Sequence, residues 1–449
     1  MANSNPKVFL SEYIDCRGNL EARERQSLSE ENRDELEELI RKMLAGGQLD
    51  PDAMSKLAGF AANPQLMQSL FSQARSLMEP GDEVNWELAK QQALSIAKQH
   101  SKTSSAALET ELKKALEIAQ LWLAEETSFT NPSQPKLFTR ELWVQDALPL
   151  FQKLGNPLAT KMSKALGENL GIMLPEELQS VIGPATNFIQ NAGATIFATQ
   201  LGVAVGQLSS KTLSAGEIGI PIIDRPGFIV QNLEEFLDGL ETPKSEILIY
   251  LAIRELAISS LYQSNRWLLD QITTQVIEFA AGLRVELTGL QEMVEQLDPN
   301  DPDSINKVME ASASFNSRTP EQEVALARIE TLLALIDGFV DAVSEQAAKR
   351  LPNIASLIEL VNRKRATDGP AEKTFLILLG LELKPKLRRE AKAMWERVLE
   401  LGTSVRDSLW SHPDQLPTIQ EIQDPASLVS RLSKAGDDFD GELRKLLGD

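Results

Sequence analysis

The residues with the clearest chemical potential lie in one apolar run, YLAIRELAISSLYQSNRWLL, residues 250–269. Arg254 and Glu255 stand side by side in it, and the five positions from 254 read R-E-x-x-I. In H-E-x-x-H, residues i and i+4 share one helical face and grip a zinc ion, and the glutamate takes a proton from the metal-bound water. Here the glutamate is present as Glu255, while Arg254 and Ile258 occupy the histidine positions. Arginine stays protonated and repels a dication, and isoleucine offers no lone pair. About twenty residues beyond Ile258 stands Glu278, where many H-E-x-x-H enzymes bring a third ligand from the following helix. Glu255 is therefore the candidate catalytic residue and Glu278 the possible third-ligand position, with no metal or other cofactor expected.

Composition narrows the partners. The chain has 449 residues, a formal charge of −20, 42% hydrophobic and 24% charged residues, which is ordinary for a soluble globular protein. So negative a chain is a poor partner for nucleic acid or an anionic membrane, since both need clustered cations. The single Cys16 permits no intrachain disulfide and no cysteine-based zinc cluster. Only His100 and His412 could serve a histidine-based site, and both read as surface residues. The N-terminus lacks a basic start followed by an apolar core. The weakly polar stretch 191–208 is short for a membrane span. It reads as a glycine-faced helix inside a soluble core. A cytoplasmic protein without nucleic-acid or membrane partners is expected.

The elements that must position the motif are mostly helices. Residues 1–83 read as a flexible N-terminal arm with short helices, and 84–449 as the helical body. Apolar residues recur at three- and four-residue steps in VNWELAKQQALSIAKQ, SAALETELKKALEIAQLWLAEET and TRELWVQDALPLFQKLG. They make Trp86, Trp122 and Trp143 core anchors. The one extended segment, EIGIPIIDRPGFIV (217–230), is β-branched, and its prolines suit an edge strand. Thr242 reads as an N-cap with Pro243 at the first helical position, opening the motif helix near 243–262. Thr319, with Gln322 three residues on, reads as a capping box for a helix through Ala348. The basic run Lys384, Lys386, Arg388, Arg389, Lys392 and Arg397, interrupted by Glu390 and Glu396, reads as a solvated helix face.

Resemblance adds to this. GATIFATQLGVAVGQLSSKTLSAGEIGIPI, SEILIYLAIREL and RWLL resemble an actinobacterial zincin-like family. So do TPEQEVALARIETLLALIDGFVDAV, GPAEKTFLILLGLELKPKLRREAKAMW and DSLWSHPDQLPT, and, in the N-terminal half, VNWELAKQQA and LWLAEET. The likeness covers roughly residues 70–430. Members are described as hydrolases or zinc-dependent metalloproteases, and one branch is linked by name to deazaflavin-coenzyme biosynthesis. The sequence is similar to a branch with a degenerate H-E-x-x-H, and it has lost the second histidine as well.

The resemblance implies a mainly α fold, a multi-helix zincin-like body with one short edge strand or small sheet, and zinc only if the family activity is retained. A buried charge must be paired. The sequence thus leads to the expectation of an internal ion pair in which Glu278 or Glu255 neutralises Arg254, where a relative holds zinc. Three functions stay open: a non-catalytic scaffold or binding module, an active metal-dependent or carboxylate-based hydrolase using Glu255 and Glu278, and a structural partner of another enzyme. A protein or peptide partner suits the first and third.

Overall fold

The computed structural model describes residues 84–99, 101–130, 134–173, 194–195, 197–217, 219–222, 225–282, 319–367 and 387–434, with backbone alone for 162–173 and 367. These residues fall within the unit 80–449. The arm expected over 1–83, Cys16, His100 and the apolar segment 369–383 lie outside the described residues.

The described body is mainly helical with one small sheet, as the sequence predicts. Helices α1 (Trp86–Gln99), α2 (Ala106–Ala124) and α3 (Arg140–Met173) lead to a helical segment at 197–209. Then follow α4 (Val230–Leu237), α5 (Lys244–Ser264), α6 (Trp267–Ala281), α7 (Pro320–Ala347) and α8 (Ile354–Thr367). The chain continues through α9 (Arg388–Leu399), α10 (Thr403–Ser408) and α11 (Ile419–Gln423). Strands β1 (Lys136–Phe138) and β2 (Gly227–Ile229) pair in parallel, Leu137 opposite Phe228.

The motif helix α5 is central because it is apolar around almost its whole circumference. Ile247, Leu248, Ala252, Ile253, Leu256, Ala257 and Leu261 are all buried, and a helix with no polar face must be covered on every side. It packs against α2 and α7. The amphipathic α2 supplies Leu108, Leu112, Leu116 and Leu123 to the core, and Ser105 caps it by accepting from the Leu108 N–H. Helix α7 opens with the expected capping box, Thr319 and Gln322 bonding reciprocally with Pro320 at the first position. Trp143 is fully buried, while Trp86 and Trp122 pack partly exposed against the core. A T-shaped and stacked cluster of Phe339, Trp395 and Trp410, with centroids 5.2–5.6 Å apart, joins α7 to α9 and to the turn after α10.

Three local expectations are corrected. Pro243 is itself the N-cap of α5, with ψ 124° and no side-chain cap. Its extended ψ places it outside the helix, so Thr242 does not cap. Among the described residues of the segment expected as an edge strand over 217–230, a strand forms only at Gly227–Ile229, and β2 has neighbours on both sides. On the side of β2 away from β1, residues 213–215 run antiparallel to β2: the Ala215 N–H donates to the Gly227 carbonyl, and the Ile229 N–H to the Leu213 carbonyl. The basic run is not wholly a solvated face either. Arg388 and Lys392, one helical turn apart, reach inward to Asp341 and Glu345 on α7, each at 2.6 Å.

The glycine-faced helix is found: a Cβ on Gly202 would meet the Ala89 carbonyl of α1 at 2.5 Å. Gly338 does the same for α7 against α9, where a Cβ would lie 2.7 Å from the Lys392 nitrogen. Gly338→Ala must push two helices apart at their backbones. We expect it to lower stability by about 1–3 kcal/mol in urea unfolding, the cost of overpacking a close-packed site. An unchanged midpoint would contradict that crossing.

Candidate functional site

On α5 the side chains of residues 254 and 255 leave about 100° apart, so they serve different neighbours. Glu255 turns toward β2. Its Oε1 accepts from the Gly227 N–H at 2.9 Å and its Oε2 from the Gly216 N–H at 3.0 Å, with a third hydrogen bond from Ser214. It is 3% exposed. Glycine is required at 216, because an added Cβ would overlap Ile258 and crowd the carboxylate. Glu255 thus ties the central helix to both sides of the small sheet's turn.

Arg254 turns toward α7. Its Nη1 donates to Asp341 Oδ1 at 2.6 Å, and Arg388 Nε donates to the other oxygen at 2.6 Å. Arg365 lies 3.9 Å from Asp341 and donates to Asp337 at 2.8 Å. Asp337, Asp341 and Glu345 are spaced four apart along α7, so they form one acidic stripe on a buried or half-buried face. Arg365 from α8, Arg254 from α5, and Arg388 and Lys392 from α9 meet that stripe. A half-buried pair, Lys364 to Glu217 at 2.6 Å, stands beside it.

This corrects the expected partner of Arg254. Glu278 lies on an exposed part of α6 and faces Arg328 at 3.5 Å, so it is not brought to Glu255 or Arg254. Glu255 pairs with backbone amides instead. The sequence reading missed Asp337 and Asp341, although two acids one turn apart within LLALIDGFVDAV were a visible sign of a buried polar stripe. His412 is exposed beside Asp414, as expected of a surface histidine.

Electrostatics follow from burial. Desolvation pushes the Glu255 carboxyl up to about 7, against the bonds from Ser214, Gly227 and Gly216, with the Glu217 charge adding to the rise. Burial would also raise Asp341, but Arg254, Arg388 and Arg365 together hold it well below the usual carboxylate range. Burial opposes the charge on Arg254, and Asp341 more than restores it, so the guanidinium stays protonated. Beside these groups lies a cavity of about 40 Å³, whose polar lining is Ser214, Glu217, Arg254, Glu255, Asp337, Lys364 and Arg365, the rest being glycine and apolar side chains.

A zinc ion does not fit this donor set. The two positions that should ligate are a guanidinium and an alkyl chain, and both Glu255 oxygens already accept N–H bonds. Among the described residues no three His, Cys, Asp or Glu side chains come together to hold a metal.

The raised Glu255 pKa carries a stability consequence. From about 4.5, the unfolded value, to about 7 the folded protein binds the proton more tightly than the unfolded chain. Its contribution is therefore full below about 4.5 and lost as pH rises through 7, on the order of 3 kcal/mol in all. Subtracting the stability–pH curve of Glu255→Gln from that of the wild type should leave that decline. A flat difference would show that Glu255 does not titrate in this window.

Residues 84–429 match the family model described as zincin-like metallopeptidase. A comparison with curated proteins finds no match. Among solved structures, the chain is similar to a candidate hydrolase with a novel fold from Chloroflexus aurantiacus. The two share 16% identity at a TM-score of 0.52, over 78% of this chain and 99% of that one, a likeness of fold. With a helical body built around R254-E255-x-x-I258 and a family model spanning most of its length, this chain belongs to the zincin-like metallopeptidase family.

Proposed function

We propose that this chain belongs to a branch of the family with a degenerate H-E-x-x-H and that it has exchanged the zinc centre for an internal ion-pair lattice. It then acts as a scaffold or binding module rather than as a peptidase. The observation that carries this reading is the commitment of Arg254, at the first ligand position, to Asp341 at 2.6 Å. A fixed cation there repels a dication, and its removal would leave the Asp341 carboxylate short of a partner in a buried place. The flanking of β2 on both sides supports the same reading. A peptide that docks by strand addition needs a free edge, and β1 and residues 213–215 already occupy both. A protein or peptide partner would engage another surface, and the acidic composition supports a cytoplasmic setting without nucleic acid.

One observation favours a second reading, a hydrolase with Glu255 as general base. A carboxyl raised to about 7 is poised for proton transfer near neutrality. Elemental analysis of untagged protein, offered zinc and then desalted, separates the two. We expect no stoichiometric zinc and no cleavage of a mixed peptide library. A full equivalent of zinc, with cleavage abolished by Glu255→Ala, would establish the hydrolase instead.

A further inference from the structure

Helix α8 walls one side of the motif region, and its hold on the body is slight. Its sequence, IASLIELVNRKRAT, places Ile354, Leu357, Ile358 and Val361 on one face at three- and four-residue steps. Of its described side chains only Leu357 and Val361 are buried, while Ile354, Ile358 and Leu360 stay partly exposed. The motif helix α5, by contrast, buries side chains around almost its whole circumference. Helical stability in a protein comes mainly from packing an apolar face. A helix with two buried anchors therefore opens more readily than the helices it lies on.

The other links of α8 are polar. Asn353, just before it, donates to Glu246 at 3.1 Å, and Asn362 accepts from Arg388 at 2.8 Å. Lys364 and Arg365 reach Glu217 and Asp337 at 2.6 and 2.8 Å. Desolvation largely offsets the attraction within such pairs, so they fix where α8 lies more than how firmly it is held. Val361, Lys364 and Arg365 share the small cavity with Arg254, Glu255 and Ile258 of the motif helix. Its volume of about 40 Å³ holds roughly three waters and nothing larger. In this position α8 covers the motif face of α5.

We infer that α8 is a strap that opens as a unit while α5 and α7 stay folded, and that its opening uncovers the motif face. Opening withdraws Val361, Lys364 and Arg365 together, which removes one wall of the cavity. Ser214, Glu255 and Ile258 then face solvent on that side. Glu217 and Asp337 lose the cations of α8 but gain water as it leaves, so neither acid is stranded. The fraction of molecules with the strap open scales the apparent affinity of whatever binds the uncovered face. The strap governs access whether the chain binds or cleaves there, so it goes beyond the proposed function and does not depend on zinc.

Hydrogen exchange of the full-length protein, followed by mass spectrometry, tests this. Amides of α8 should be at least about tenfold less protected than those in the middle of α5 and α7. A buried thiol reads the uncovering itself. Val340→Cys, made together with Cys16→Ser, puts a single thiol on the cavity wall, where an aromatic disulfide reagent has no room while α8 is closed. Leu357→Ala removes one of the two anchors. It should raise both α8 exchange and thiol labelling by at least about tenfold, with exchange in α5 and α7 unchanged. Exchange of α8 only in step with α5 and α7 would overturn the strap, and the wild-type protein alone decides that point. Thiol labelling that Leu357→Ala leaves unchanged would overturn it as well.

Discussion

Three guanidinium groups converge on the Asp341 carboxylate in the middle of the helical body. Arg254 and Arg388 each take one of its oxygens at 2.6 Å, and Arg365 approaches to 3.9 Å. These groups come from α5, α9 and α8, and the acid from α7, so one side chain sets the relative positions of four helices. A carboxylate taken from water is strongly disfavoured unless cations and hydrogen bonds replace its solvation. That requirement explains why the chain keeps three arginines where a hydrophobic core would be simpler. It also explains why α7 carries acids at four-residue intervals on an otherwise apolar face.

The consequences reach the catalytic-type glutamate. Because Arg254 is drawn to α7, Glu255 is left to the opposite neighbour, where the Gly216 and Gly227 amides receive it. A glutamate that bonds two backbone amides and is 3% exposed holds structure together. Its carboxyl is nonetheless raised by burial, so the position retains a group that can exchange a proton near neutrality. The lattice and the glutamate are thus two halves of one arrangement, with a small cavity beside them.

Much of the fold was legible because helical periodicity and caps are local signals. The capping box at Thr319, the apolar stripe of α2 and the glycine-faced segment at 197–209 follow from residues a few positions apart. The start of α5 was misplaced by one residue because proline suits both the first helical position and the extended position before it. Burial of Arg254 and its need for a partner were also readable, since apolar residues surround it. Its partner was not: Asp341 is 87 residues away, and no spacing rule connects them. Glu278 was chosen from the spacing of an ancestral ligand, but that position faces outward on α6 and meets Arg328. The free edge expected of β2 failed for the same reason, since residues 213–215 fold back onto it through contacts that local pattern does not reveal.

The claim that an ion pair has taken the place of a metal centre is tested most directly by a double-mutant cycle on Arg254 and Asp341. Arg254→Met and Asp341→Leu are made singly and together, and unfolding free energies are measured in urea at neutral pH. Arg254→Met leaves Asp341 with one arginine fewer, Asp341→Leu leaves the arginines without their shared acid, and each should cost up to about 3–5 kcal/mol. The double variant should cost less than the sum by at least about 1 kcal/mol, because the two charges leave together. Additivity within about 0.5 kcal/mol would mean that Arg254 and Asp341 do not hold each other, and the lattice would no longer account for the loss of the zinc ligands.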